Sequence, residues 1–125
     1  MTNKTLKIIS DEMESLDLNY AFMEFNDEPE YPYFVGEYQE NEPMNEDGMN
    51  ESTFIITGFS RGEWLHLEDA KALIREHFNE ISGLVTSVEN LNVAIFYANA
   101  FPVPTGDAEL KKIQINLKIK EWKVN

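Results

Sequence analysis

The sequence predicts an α+β domain: an antiparallel or mixed sheet of about four to five strands with two helices packed on one face. Three observations carry this reading. Residues 51–78 change period, from a β-branched and aromatic run to an amphipathic helical pattern. Residues 112–120 alternate strictly between apolar and polar side chains, the signature of a half-buried strand. No strand–helix–strand rhythm of the kind that builds a parallel sheet runs through the chain.

The central stretch sets the frame. Thr53, Phe54, Ile55, Ile56 and Thr57 have side chains that suit a pleated, half-buried surface. Gly58 and Gly62 are expected to bracket a turn holding Ser60 and Arg61. Beyond it, Trp64, Leu67, Ala70, Leu73, Ile74 and Phe78 recur at three- and four-residue spacing and define one helix face. Glu68 and Asp69 stand near the helix start and Arg75 and His77 near its end, as the helix dipole favours.

Ahead of this unit, Leu6, Ile9, Met13 and Leu16 predict a short amphipathic helix over residues 4–18. Residues 20–26, aromatic-rich, are read as a first strand, broken by Asp27-Glu28-Pro29-Glu30. Tyr33 to Tyr38 form the next strand, with Phe34, Gly36 and Tyr38 on one face and Tyr33, Val35 and Glu37 on the other. The polar run 39–52, with its Asp47-Gly48 turn pair, connects this strand to the central one as a long antiparallel hairpin.

Residues 79–90 read as a connector. Residues 91–101 read as a strand apolar on both faces, with Val93, Ile95 and Tyr97 opposed to Ala94, Phe96 and Ala98. Pro102 to Asp107 read as a stiff connection. In the last strand Ile113, Ile115, Leu117 and Ile119 face inward, while Lys112, Gln114, Asn116, Lys118 and Lys120 face out. The lysines either blunt a sheet edge or pair with acids on a neighbour; the edge explanation is preferred.

Bulk properties bound the function. The chain has 125 residues, which suits a single domain spanning 1–125. It has no cysteine, which excludes disulfides, thiol nucleophiles and thiolate metal sites. No apolar run approaches the roughly 20 residues of a membrane span, and the N-terminus lacks a signal-peptide core, so the expectation is no membrane and a cytoplasmic protein. The net charge is −13. Residues 1–60 hold 14 acids and 2 bases (−12), and residues 61–125 hold 9 acids and 8 bases (−1). Such a balance argues against binding a nucleic-acid backbone through a basic patch. The acidic half serves either as a solvating surface or as a face that repels DNA, mimics it, or meets a basic partner.

The residues carry no catalytic signature. His66 and His77 lie about 16 Å apart along one helix and cannot share a metal there. No HExxH, GxSxG or phosphate-cradling glycine loop is present. Ser60-Arg61-Gly62 has the position of an anion-docking turn, although a plain strand-to-helix connection accounts for it equally. Asn45, Asp47 and Glu51 have calcium-ligating chemistry without EF-hand spacing, and a solvated loop tip is the preferred reading. The expectation is a protein that is not an enzyme, with no catalytic, metal-binding or cofactor-binding residues.

Two runs carry a resemblance: Tyr31-Pro-Tyr-Phe-Val-Gly-Glu-Tyr38 with Glu46-Asp-Gly48, and Glu51-Ser-Thr-Phe-Ile-Ile-Thr-Gly58 with Arg61-Gly-Glu-Trp-Leu-His-Leu-Glu-Asp-Ala-Lys71. They resemble small structural proteins of phages and prophages of Gram-positive bacteria, and the element order is similar to the tail-terminator or tail-completion group. The resemblance implies self-association into a ring, with a hexamer favoured, contacts with other tail or neck proteins, and residence in the virion tail. On that reading Glu37, Glu40, Glu42, Glu46 and Asp47 form an acidic lumen or interaction loop, and Tyr33, Tyr38 and Phe96 belong to the oligomer interface. The competing class is a small acidic inhibitor, a DNA mimic or immunity protein that binds a basic enzyme.

Overall fold

In the computed structural model, which describes residues 1–41 and 48–124, the chain is an α+β domain. Its elements run α1 (Asn3–Ser15), β1 (Tyr20–Phe22), β2 (Tyr33–Glu40), β3 (Met49–Arg61), α2 (Leu65–His77), β4 (Leu84–Val88), β5 (Leu91–Val103) and β6 (Leu110–Lys123). The six strands form one sheet in the order β1-β2-β3-β6-β5-β4. All pairings are antiparallel except β1 with β2, so the sheet is mixed. The sheet therefore has six strands rather than four to five.

The extra strand is β4, in the stretch read as a connector. Leu84-Val-Thr-Ser-Val88 is short and its apolar residues are interrupted by hydroxyls. It becomes a strand because a two-residue turn at Glu89-Asn90 folds it back on β5, pairing Val88 with Leu91 and Leu84 with Ile95. At the opposite edge, β1 stops after three residues. Met23 adopts φ 67° and its N–H closes onto the Gly36 carbonyl at 2.8 Å, which turns the chain away from the ladder.

The β2–β3 hairpin has the expected antiparallel form, with Tyr33 opposite Phe59 and Glu40 opposite Ser52. β3 itself is longer than expected. Gly58, Ser60 and Arg61 lie within the strand, and the turn begins at Gly62, whose φ of 93° is one that glycine adopts freely. β5 likewise extends through Pro102 to Val103. The outer side of β5 has no neighbouring strand beyond Ile95, so a proline there costs little of the ladder.

Both helices contribute to one core on one face of the sheet. Ile9 and Met13 of α1 and Leu67, Ala70 and Ile74 of α2 pack with Phe34, Phe54, Ile56, Ile95, Ile113, Ile115, Leu117 and Ile119. The strand residues in this set share a face by register: Phe34 opposes Gly58, Ile56 opposes Ile115, and Ile95 opposes Ile119. Leu73, placed by its spacing on the inner helix face, is instead exposed, at the margin of the apolar stripe. His77 at the end of α2 hydrogen-bonds Glu12 of α1 at 2.5 Å and ties the helices together.

The N-terminus of α1 is anchored by a buried carboxylate. Thr2 caps the helix, accepting from the Thr5 N–H at 3.2 Å. Glu121 of β6, only 3% exposed, accepts from the Thr2 N–H (3.2 Å), the Thr2 hydroxyl (3.0 Å) and the Thr5 hydroxyl (2.5 Å). The first turn of α1 has no acid of its own, so β6 supplies the anion that the helix N-terminus favours.

At the β1 edge the Tyr20 phenol lies over Gly36, where an added Cβ would stand only 2.4 Å from its oxygen. Burial pushes this phenol well above its ordinary pKa of 10.0. The folded state therefore holds the neutral form, and its contribution is complete below pH 10 and is lost as pH rises beyond it. Between about pH 9 and pH 11 the wild-type urea midpoint is expected to fall further than that of Tyr20→Phe. Equal falls would show that another group drives the alkaline loss.

Candidate functional site

The face of the sheet away from the helices is uncovered, and its composition is unusual for this chain. Its charged residues are Glu37, Glu51, Arg61, Lys112, Lys118 and Lys120 by strand register. Four of the 10 bases therefore stand on a face that holds two of the 23 acids. The lysines of β6 do not protect an edge, because β6 lies in the middle of the sheet between β3 and β5. They sit among aromatic rings and acids instead, which a cation on a central strand requires if it is to remain solvated and partnered.

Two aromatic–cation groups occupy opposite ends of this face. At the β2 end, Tyr33 stacks on Phe59 with ring centroids 4.9 Å apart, and Phe25 and Tyr31 close around Tyr33 at 5.5 and 5.2 Å. Arg61 lies over Tyr31 at 5.4 Å and Lys112 over Phe59 at 5.5 Å. Burial raises the Tyr33 phenol above its usual pKa, and the neighbouring Tyr31 adds to the shift. Tyr31 beside it holds the Arg61 guanidinium above its ordinary pKa.

At the β5 end, Phe96 lies opposite Lys118, and Lys120 stands over the Phe96 ring at 5.9 Å. These residues, with Tyr97, Ala98, Glu80 and Ile81, line an open cleft of about 610 Å³. A β-bulge between Tyr97 and Asn99 shapes it. The extra residue, Ala98, reverses the alternation that follows, so Asn99 and Phe101 emerge on the open face beside Asn116 and Gln114. Asn116 donates to Asn99 at 2.8 Å. Glu80 is neutralised by Arg75 at 2.9 Å, and Lys118 lies 3.9 Å from Glu51, leaving the cleft net cationic. Ile81 at its rim is 86% exposed.

The acids collect elsewhere. The segment from Glu24 to Glu30 follows β1 at the far edge of the sheet, and Glu24, Asp27, Glu28 and Glu30 are all exposed. Among the described residues none of these four enters an ion pair. Asp17, Asp27, Glu28 and Glu30 border a second open cleft, of about 690 Å³, which Phe34 of β2 also lines.

The residues expected to matter are thus divided. Glu37 is exposed on the open face, and Glu40, at the end of β2, contacts the Met1 amine. Glu42, Glu46 and Asp47 lie outside the described residues. Tyr33 and Phe96 share the open face, at its two ends. Tyr38 does not join them: it opposes Phe54 on the helix-covered face and stacks on Phe22 at 6.1 Å. The three aromatics therefore do not share one face of the sheet, because an even spacing from Phe34 puts Tyr38 on the inner side.

The Ser60-Arg61-Gly62 turn is not arranged to receive an anion. The Ser60 side chain is buried and donates to the Glu63 carbonyl at 2.9 Å, while Arg61 is engaged by Tyr31 and approaches Asp107 at 3.8 Å. Glu51, one of three residues of calcium-ligating chemistry, faces Lys118. Among the described residues no cluster of three or more metal-ligating side chains occurs, and no helix is long and apolar enough to cross a membrane. Scans against protein-family models and curated proteins return no match to this chain.

Sequence reasoning missed Arg61, Phe59, Ile81 and Phe101 as parts of this surface. The signal for Phe59 and Arg61 was present, because both continue the outward alternation of Ile55 and Thr57. Phe101 was hidden by the bulge, and Ile81 by the missed strand beside it.

Proposed function

We propose that the protein is a non-catalytic assembly protein, a tail-terminator, tail-completion or related head–tail joining component of a phage or prophage, that works as a ring. The observation that supports this reading best is the separation of charge across the sheet. A cationic, aromatic cleft lies toward the β4 edge and an exposed acidic segment lies at the β1 edge. Surfaces of opposite character on opposite edges favour head-to-tail association, which closes into a ring when the rotation between copies allows it. A hexamer, assembled in the cytoplasm and carried in the virion tail with other tail or neck proteins, is the form that the family resemblance suggests. Exposed acids such as Glu37 and Glu40 would then keep passing DNA from adhering to the lumen.

Sedimentation velocity over a wide concentration range, with negative-stain images of the largest species, tests the proposal. Discrete rings that bind tail proteins are expected. A monomer at every concentration that also binds no tail component would overturn it.

A second reading, a small inhibitor of a basic enzyme, draws on the acidic cleft bordered by Asp17, Asp27, Glu28 and Glu30. A tight 1:1 complex with a nuclease or other basic protein, formed by a monomer, would favour it.

A further inference from the structure

The cationic cleft and the acidic segment differ in more than charge, because each has an exposed apolar residue next to it. The cationic cleft has Phe96 on its floor, Lys118 and Lys120 on one side, and Ile81, 86% exposed, at its rim. The acidic segment carries Glu28 and Glu30, both exposed, and Met23, 57% exposed, directly precedes it in the chain. A bare apolar residue beside cations toward one edge and another next in the chain to an acidic segment at the other are complementary in both respects.

The segment cannot reach the cleft of its own chain. It follows β1, and the cleft is built on β5 and β6. β1 and β5 stand four strand spacings apart, or about 19 Å at about 4.8 Å per strand. The contact must therefore join two molecules, and it is heterologous, because the surfaces that meet are different.

We infer that the acidic segment Glu24–Glu30 of one copy docks in the Phe96/Lys118/Lys120 cleft of the next. This rests on the ring reading above and names the surfaces that meet in it. The carboxylates of Glu28 and Glu30 lie against the two ammonium groups, and Ile81 packs beside Met23. Charge repulsion elsewhere on a chain of net charge −13 makes these attractive groups decisive for which edges meet. Lys118 exchanges its distant contact with Glu51 for a closer carboxylate on the neighbour.

Two charge-reversed variants test the inference: Lys118→Glu with Lys120→Glu, and Glu28→Lys with Glu30→Lys. All four side chains are exposed or half-exposed, and circular dichroism checks that each variant folds. Either variant alone meets itself with like charges, so sedimentation should show its self-association weakened about a hundredfold. An equimolar mixture restores opposite charges at every contact, and should assemble into alternating species of the wild-type size. Raising the salt from about 0.05 to 0.5 M should weaken wild-type and mixed assemblies together.

If wild type forms rings and either variant does so equally well, the contact lies elsewhere while the ring reading stands. A mixture that stays dissociated overturns the inference in the same way. A wild-type chain that never self-associates, alone or with tail components, removes both.

Discussion

Replacing Gly58 with valine should destabilise the domain by about 3 kcal/mol. Gly58 lies within β3, directly opposite Phe34 on β2, and the Phe34 ring crosses over it. An added Cβ would stand 2.6 and 2.8 Å from two carbons of that ring and 3.0 Å from a methyl of Ile113. Neither neighbour can withdraw, since Phe34 and Ile113 are enclosed in the core at 0% and 1% exposure. Valine brings two further methyls, so the ring must leave its rotamer or the β2–β3 pair must separate. Thr57→Val, one residue away on the uncovered face, should change stability by no more than about 0.5 kcal/mol. Pairing Gly58→Val with Phe34→Val should recover part of the loss, because the two sites compete for one volume. Urea unfolding of the three variants decides the matter. A Gly58→Val protein within about 1 kcal/mol of wild type would mean that the ring is free to move.

Glu121→Ala should cost about 3 kcal/mol, a large effect for one residue near the end of the chain. The carboxylate accepts from the Thr2 N–H and from both threonine hydroxyls, and its removal leaves three donors facing a cavity. The α1 N-terminus also loses the carboxylate that β6 supplies to it, and α1 supplies Ile9 and Met13 to the core. Glu121→Gln should cost much less, because the amide oxygen still accepts from these donors. Hydrogen exchange of the first α1 turn should accelerate in the alanine variant before the β3–β6 ladder does. If alanine and glutamine variants are equally destabilised, the charge of the carboxylate matters rather than its packing or its accepted hydrogen bonds.

Both effects show where local pattern ends and tertiary context begins. The alternation of β6 extends two residues beyond Ile119, so position 121 was readable as an inward site. What could not be read was why a carboxylate would occupy it. That reason lies in the N-terminus of α1, 116 residues away in sequence from Glu121 to Thr5 and in contact with it only after folding. In the same way Gly58 looks like the start of a turn in a one-dimensional reading. It is a strand residue because Phe34, on the neighbouring strand, fills the space its side chain leaves.

The sequence by itself determined the α+β class, the two helices and their apolar residues Ile9, Met13, Leu67 and Ile74, the β2–β3 hairpin, and which side chains of β2 and β6 share a face. These depend on periods of 3.6 and 2, which neighbouring residues enforce on one another through the backbone. The tertiary structure alone decided the strand order. That order placed β6 in the centre of the sheet, so its lysines belong to an open face rather than an edge. It also decided the bulge at Ala98, which carries Phe101 onto that face, and the placing of Tyr33 and Phe96 at its opposite ends. Strand order and bulges arise from contacts between residues distant in the chain, and such contacts leave no period to read.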